Sequence, residues 1–321
     1  MCGAIKEGYA FMAEQVIVVG HKNPDNDAIS AAVGLAFFEN ELAKRQGRDV
    51  EYKAVRLGGL PPESEWNLAE SGIEQPELID HVEAGQKVIL VDHNELKQAV
   101  DGLADAEVVG IVDHHRIGDV TTVSPIYMTV RPWGSSATVV TALCRQHGIE
   151  IPQGIANMLL GAILTDTVIL KSPTATKVDE EQIAFLEGIT GKKRVEFGQA
   201  LFNCRGAEAD LPIEIYVGAD AKEFEVCGKN VLIAQHETVD IDGAMKREGE
   251  AREQMRKLAA EKGYDFVLVL VTDILNEGSY FLVEGNHAVV DEVFGIDSSA
   301  AVWIDGIMSR KKQVAAPLLK A

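Results

Sequence analysis

The sequence predicts an α/β chain of two domains. The N-terminal domain has a mainly parallel sheet flanked by helices, and the C-terminal α/β domain is smaller. Three observations carry this. The apolar runs "QVIVVG", "VEYKAV", "QKVILV" and "AEVVGIV" are β-branched and near-continuous, as in strands covered on both faces. They are interleaved with stretches of helical period, as parallel crossovers require. At 321 residues the chain exceeds one typical domain and fits two.

The elements follow in order. After "QVIVVG" and a turn, Ile29, Val33, Phe37 and Leu42 recur at near-helical spacing as far as Gly47, a helix stop. "VEYKAV" is the second strand, and "QKVILVDHNE" and "AEVVGIVDHH" end two more. "GSSATVVTALCRQHG" reads as a helix with serine at its start and Gly148 at its end. In "IANMLLGAILTDT" the spacing of Ile155, Leu159 and Ile163 favours a helix with Thr165, Asp166 and Thr167 at its C-terminal end. "VDEEQIAFLEGITG" and "KKRVEFGQALFNC" continue as helices, and His81 and His147 are assigned to helical surface. The small, polar "RGAEADLP" is read as a linker. The expected domains are therefore 1–204 and 213–321, joined by 205–212. In the second domain, strands "NVLIAQHETVD", "DFVLVLVTDIL" and "SYFLVEG" surround one long amphipathic helix, "AMKREGEAREQMRKLAAEKG".

A formal net charge of -20 argues against nonspecific nucleic-acid or anionic-membrane binding, since both need a basic face. An anion must then be met by local positive charge, from clustered Lys and Arg or from metal ions. Cys2, Cys144, Cys204 and Cys227 are scattered, with no zinc-like spacing, and fit free thiols in a reducing cytoplasm. No apolar run is long enough to span a bilayer, and the N-terminus is a poor signal peptide. Cytoplasmic residence is the expectation.

The turn "GHKNPDND" crowds His21, Asp25 and Asp27 together directly after an apolar run. Carboxylates that close repel each other unless a cation lies between them. Two other apolar runs end in "VDHNE" and "VDHH", and a helix ends in "TDT". In an open parallel sheet, ligands bind where strand C-termini converge. His21, Asp25, Asp27, Asp92, His114 and Asp166 thus form a candidate set of four carboxylates and two imidazoles. One cation does not need six such ligands. Two cations sharing carboxylates do, and they can activate a water for attack on phosphorus. Mixed nitrogen and oxygen donors suit Mn, Co or Fe better than Mg. A lone "DHH" is weak, since a strand-end Asp often only caps the next helix. Four such elements in one domain outweigh that reading. His93 is assigned support of the ligands, and "SRKKQ" places Arg310, Lys311 and Lys312 in an acidic chain.

Taken together, "GHKNPDNDAISAA", "VDHNE", "VDHHR", "LTDT", "KSPTAT", "KEFEVCGKNVLIAQHETVD" and "SRKKQ", in this order from about Val16 to the end, resemble the family II inorganic pyrophosphatases of the DHH phosphoesterase superfamily. The resemblance implies hydrolysis of pyrophosphate to two phosphates by a metal-bridging hydroxide, with the active site in the cleft between the domains. It implies that His21 and Asp25 hold one metal, Asp27 and His114 the second, and that Asp92 and Asp166 bridge them. His115 is implied at the leaving phosphate, and Lys222, Arg310 and Lys311 on the substrate. It further implies two Mn²⁺ or Co²⁺ per subunit, Mg²⁺ with the substrate, and a homodimer formed through the N-terminal domain. Asn26 and Ala28 stand where Thr and Ser are common, which implies altered tuning and no lost metal. Residues 1–11 precede Met12, near which family chains usually begin, and are expected to contribute nothing to the site. The nearest alternative is a short-chain exopolyphosphatase or another DHH phosphoesterase. Further alternatives are a silent sensor and a metal-storage site.

Overall fold

The computed structural model describes residues 14–204, 206 and 208–321. Residues 1–11, Cys2 among them, and Arg205 and Ala207 of the proposed linker lie outside the described residues. The chain divides into two compact units, with the division between Leu201 and Phe202.

The first unit opens with β1 (Glu14–Val19), α1 (Asn26–Gln46), β2 (Val50–Arg56), α2 (Pro62–Ser71), β3 (Glu77–Leu78), β4 (Lys87–Val91), β5 (Glu107–Asp113) and β6 (Tyr127–Val130). Helices α3 (Ser136–Gln146), α4 (Gln153–Asp166), α5 (Lys177–Thr190) and α6 (Arg194–Cys204) follow. The six strands form one sheet in the order β3-β2-β1-β4-β5-β6, with every pairing parallel. Its order reverses between β1 and β4. This is the switch point at which a doubly wound sheet opens a crevice beyond its strand C-termini. Val88, Leu90, Ile17 and Val19 pack with Val55 and Leu57 in the sheet's core. That burial explains why these strands read as continuous apolar runs.

Helix α1 starts where the sequence turns polar. Asp25 caps it, its Oδ1 accepting from the Ala28 amide at 2.9 Å, and Gly47 closes it in the left-handed conformation at φ 65°. Helix α4 is buried from Ile155 through Thr165 and so carries Asp166 out of the core at its last residue. His81 is not helical as the sequence reading had it. It forms an isolated bridge with Asp101, and its ring hydrogen-bonds Asp80 and Glu83 on the surface.

The second unit carries a short 3₁₀ turn (Glu208–Asp210), α7 (Ile213–Gly218), β7 (Lys222–Val226), β8 (Lys229–Thr238), α8 (Ile241–Met245) and α9 (Glu248–Lys262). Then come β9 (Phe266–Asp273), β10 (Gly278–Gly285), α10 (Ala288–Phe294), β11 (Val302–Asp305), a π-helical turn (Arg310–Ala315) and α11 (Ala316–Leu318). The sheet order is β11-β10-β9-β8-β7, parallel only between β8 and β9. Alternate residues of β8 and β9 feed two apolar clusters, one including Ile233 and Leu268 and the other Ala234 and Val269. The single long helix expected here is two helices. Arg247 interrupts it, because its guanidinium donates from Nη1 to the carbonyls of Glu208 at 2.7 Å and Leu211 at 2.5 Å.

Candidate metal centre

Four chain segments deliver six side chains to the C-terminal edge of the parallel sheet. His21, Asp25 and Asp27 follow β1, Asp92 follows β4, His114 follows β5, and Asp166 ends α4. Ligand atoms of His21, Asp25 and Asp92 lie within 4.8 Å of one another, and so do those of Asp27, His114 and Asp166. Asp92 also groups with His114 and His115, so its carboxylate faces both imidazoles of the set. His21 Nε2 stands 3.5 Å from Asp92 Oδ2 and 3.7 Å from Asp25 Oδ2. His114 Nε2 stands 3.4 Å from both Asp92 Oδ1 and Asp166 Oδ2.

These separations fit a cation between the donors. Two donors each about 2.1 Å from one ion stand roughly 3.0–3.4 Å apart between right-angle and tetrahedral geometry. The tautomers fit as well. His21 Nδ1 donates to the Lys22 carbonyl at 2.9 Å and His114 Nδ1 to the Trp133 carbonyl at 3.0 Å. Each Nε2 is thereby left as the lone-pair donor aimed at the carboxylates, the usual arrangement behind a metal-binding imidazole.

Without cations, protons balance the charge. Burial works against charging His21, but Asp25 and Asp92 outweigh it and push its pKa up to about 11. His114, likewise opposed by burial, is pushed up to about 10 by Asp92, Asp27 and Asp166. Burial would raise Asp92, yet the two imidazoles hold it well below the usual carboxylate range. Asp166 is pushed up to about 7 by burial and by the charge on Asp92. Asp27 is raised well above the usual range, first by burial and then by Asp92 and Asp166. Three donors at the start of α3 pull Asp27 the other way. Ser135 Oγ and the Ala137 amide reach its Oδ1 at 2.6 and 3.0 Å, and the Ser136 amide reaches its Oδ2 at 2.7 Å.

The matches to known proteins decide the family. Residues 15–164 match the N-terminal domain of the DHH family, and residues 199–321 match the DHHA2 domain. The chain is 42% identical to a probable manganese-dependent inorganic pyrophosphatase of Archaeoglobus fulgidus, over 97% of this chain and 99% of that one. It belongs to the family II inorganic pyrophosphatases. A further relative, the manganese-dependent inorganic pyrophosphatase of Methanocaldococcus jannaschii, is 36% identical over 95% of this chain and 98% of its own. The fold of this family II chain agrees with the crystal structure of a putative family II inorganic pyrophosphatase from Methanococcus jannaschii. The TM-score is 0.58 at 36% identity, covering 95% of this chain and 98% of that one. An exopolyphosphatase-related protein from Bacteroides fragilis, 17% identical with a TM-score of 0.52, shares the fold alone.

Around the candidate ligands, Ser136 and Asp113 carried no readable signal, whereas His93 and Asn26 were singled out in the sequence. Ser136 donates through Oγ to Asp92 Oδ1 at 2.9 Å, so the start of α3 grips two ligand carboxylates at once. Asp113, the first residue of "DHH", is no ligand. Its Oδ1 accepts from the His114 amide at 2.7 Å, the His115 amide at 3.0 Å and His115 Nδ1 at 2.9 Å. Burial opposes its charge, but His115 and Asn94 hold it below the usual range, and Asp113 in return raises His115. His93 is buried beside Asp92. Its Nδ1 bonds the Val91 carbonyl, its Nε2 has no partner among the described residues, and its ring meets His21 edge-on at 6.4 Å. Asn26, the departure from threonine, joins α1 to α4 by donating to Thr165 Oγ1 at 3.2 Å, one residue before Asp166.

In the second unit, Lys222 and Lys311 are exposed and Arg310 is buried. Arg310 donates from Nε and Nη2 to Asp220 Oδ2, at 3.2 and 3.0 Å. Gln235 fixes the segment from β8. Its Oε1 accepts from the Arg310 amide at 2.8 Å, and its Nε2 donates to the Met308 carbonyl at 3.1 Å.

Proposed function

We infer that the protein hydrolyses inorganic pyrophosphate to two phosphates at a centre built to hold two divalent cations. One observation carries the reading. Asp92 sits between two ligand groups, each with its own imidazole, in a chain of the family II pyrophosphatases. His21 and Asp25 would hold one cation and Asp27, His114 and Asp166 the other, with Asp92 serving both; this grouping favours Asp92 alone as the shared carboxylate, where the resemblance implied Asp166 as well. Manganese or cobalt suits the mixed donors, manganese is the metal in the relatives' names, and magnesium accompanies the substrate. When bound, such a pair lowers the pKa of a water so that it can attack phosphorus at neutral pH.

The remaining steps belong to side chains. Asp113 raises the pKa of His115, which is half exposed, so its protonated form can donate to the leaving phosphate. Lys222, Arg310 and Lys311 bind the pyrophosphate oxygens, with Arg310 held by Asp220 and Gln235 before substrate arrives. No side-chain nucleophile is needed, so no covalent phospho-enzyme forms.

A homodimer through the N-terminal domain is part of the same reading. Edge strand β6 supports it, since Tyr127 and Met128 are exposed on the free side of the sheet. Cytoplasmic residence rests on the cysteine spacing. The test compares phosphate release from pyrophosphate, tripolyphosphate and a dinucleotide by manganese-loaded protein. Preference for pyrophosphate is expected. Preference for tripolyphosphate would transfer the assignment to an exopolyphosphatase.

A further inference from the structure

The chain leaves Asp166 through a left-handed turn. Val168, Ile169 and Leu170 have φ of 48°, 51° and 67°. Residues with a β-carbon enter this region rarely, branched ones least of all, and normally one at a time. Strain of this kind persists only where the surroundings over-determine it.

Two wedges do so here. Ile169 is buried against α6, where a β-carbon on Gly198 would stand only 2.7 Å from its Cδ1 and Cγ1. Thr167 is buried against Gly134, where a β-carbon would stand 2.5 Å from its methyl group. Backbone bonds close the turn from Ile169 N to the Leu164 carbonyl and from Ser172 N to the Thr167 carbonyl, both 2.8 Å. Thr167 Oγ1 also donates to the Ile163 carbonyl at 2.6 Å.

Reversal of the chain does not call for this. A glycine closes a helix end as tightly without the steric cost, as Gly47 and Gly191 do for α1 and α5. What three larger side chains add is attachment. Ile169 ties the end of α4 to α6, and Thr167 ties it to Gly134, which leads into the Ser135–Ala137 grip on Asp27.

We propose that the left-handed turn Val168–Leu170, locked by Ile169 seated on Gly198, is a positioning device that aims Asp166 at the cation it shares with Asp27 and His114. The proposal rests on the two-cation reading of the site. Ile169 and Gly198 touch no ligand, so they act through Asp166 alone. The cation held by His21 and Asp25 is therefore spared when they change.

The test is a manganese titration of metal-free protein, followed by the electron paramagnetic resonance of free Mn²⁺. The native chain takes up two ions. Gly198→Val unseats Ile169 and weakens one of the two by about ten-fold or more, the range for residues that orient ligands, while the other keeps its affinity. Ile169→Ala removes the wedge without adding bulk and gives the same one-sided loss if the valine variant fails to fold. The double variant refills the notch and regains most of the loss. Equal weakening of both ions, or of neither, in a folded variant overturns the proposal. Uptake of a single ion by the native chain overturns the two-cation reading instead.

Discussion

Replacing Asp179 with alanine should unseat the start of α3 from a distance. Asp179 is fully buried in the first turn of α5. Its Oδ1 accepts from Thr138 Oγ1 at 2.6 Å and the Gly134 amide at 3.0 Å, and its Oδ2 accepts from Thr176 N and Oγ1, both 2.7 Å. Gly134 and Thr138 are buried, so their donors find no water when the carboxylate is gone. A hydrogen bond to a charged group contributes roughly 1.5–3 kcal/mol, and a stranded buried donor costs a similar amount. The two buried donors alone give about 3–6 kcal/mol, and the half-buried Thr176 pair adds less because water can replace its partner. At about 2–4 °C per kcal/mol for a unit of this size, the melting temperature should fall by roughly 6–24 °C. Calorimetry of the metal-free protein reads this directly. Asp179→Asn keeps one acceptor and should fall between the two. A loss under about 3 °C for the alanine variant would refute the assignment of Asp179 as the anchor of Gly134.

Three further outcomes follow from the site. At pH 8 the metal-free protein carries protons on His21 and His114, with pKa values near 11 and 10. Cations bind the neutral ring, so uptake should release at least about two protons, and affinity should rise with pH below about 10. Uptake in weakly buffered solution without acidification would contradict this. Asp92 holds φ 64°, where asparagine is tolerated, so Asp92→Asn keeps the backbone and removes the shared charge. It should abolish turnover and weaken both cations, and titration showing one cation untouched would count against the shared role. Gln235→Leu severs the ties to Met308 and Arg310 and should raise KM for pyrophosphate about ten-fold with cation uptake unchanged. An unaltered KM would show that Arg310 is held without it.

The six side chains that cluster were legible because residue type and position agreed. Each carboxylate or imidazole stood just past an apolar run or helix, where an α/β sheet gathers its site. The strand order that brings the turns after β1 and β4 together was not legible, since parallel pairing leaves no local mark on a strand. The same holds for partners far apart in sequence. Ser135 meets Asp27 across 108 residues and looks locally like an ordinary helix cap. Asp179 looks like half of a capping box with Thr176, which it also is. "TVIL" carries no local sign of its left-handed turn, because valine and isoleucine disfavour the backbone they adopt there. Arg247 read as one more helical cation, and only its bonds to the loop before α7 explain the break between α8 and α9.

The acidity of the chain bears on how such a site meets an anion. Asp25, Asp27, Asp92 and Asp166 bring up to four carboxylate charges to one crevice, and without cations these are offset by protons on His21 and His114 and by the raised pKa values of Asp27 and Asp166. The metal-free centre therefore offers pyrophosphate no net positive charge, and the net charge of -20 around it repels the anion. In the proposed two-cation state, two divalent ions would displace those protons and bring the centre, with all four carboxylates ionised, to neutrality. His115 beside it, whose pKa Asp113 raises, would add positive charge to that field in its protonated form. Substrate affinity is thus coupled to cation loading through charge alone, before any ligand contact is counted. On the proposed reading, filling the centre with cations meets the electrostatic condition for binding pyrophosphate and lets a strongly acidic protein serve a strongly anionic substrate.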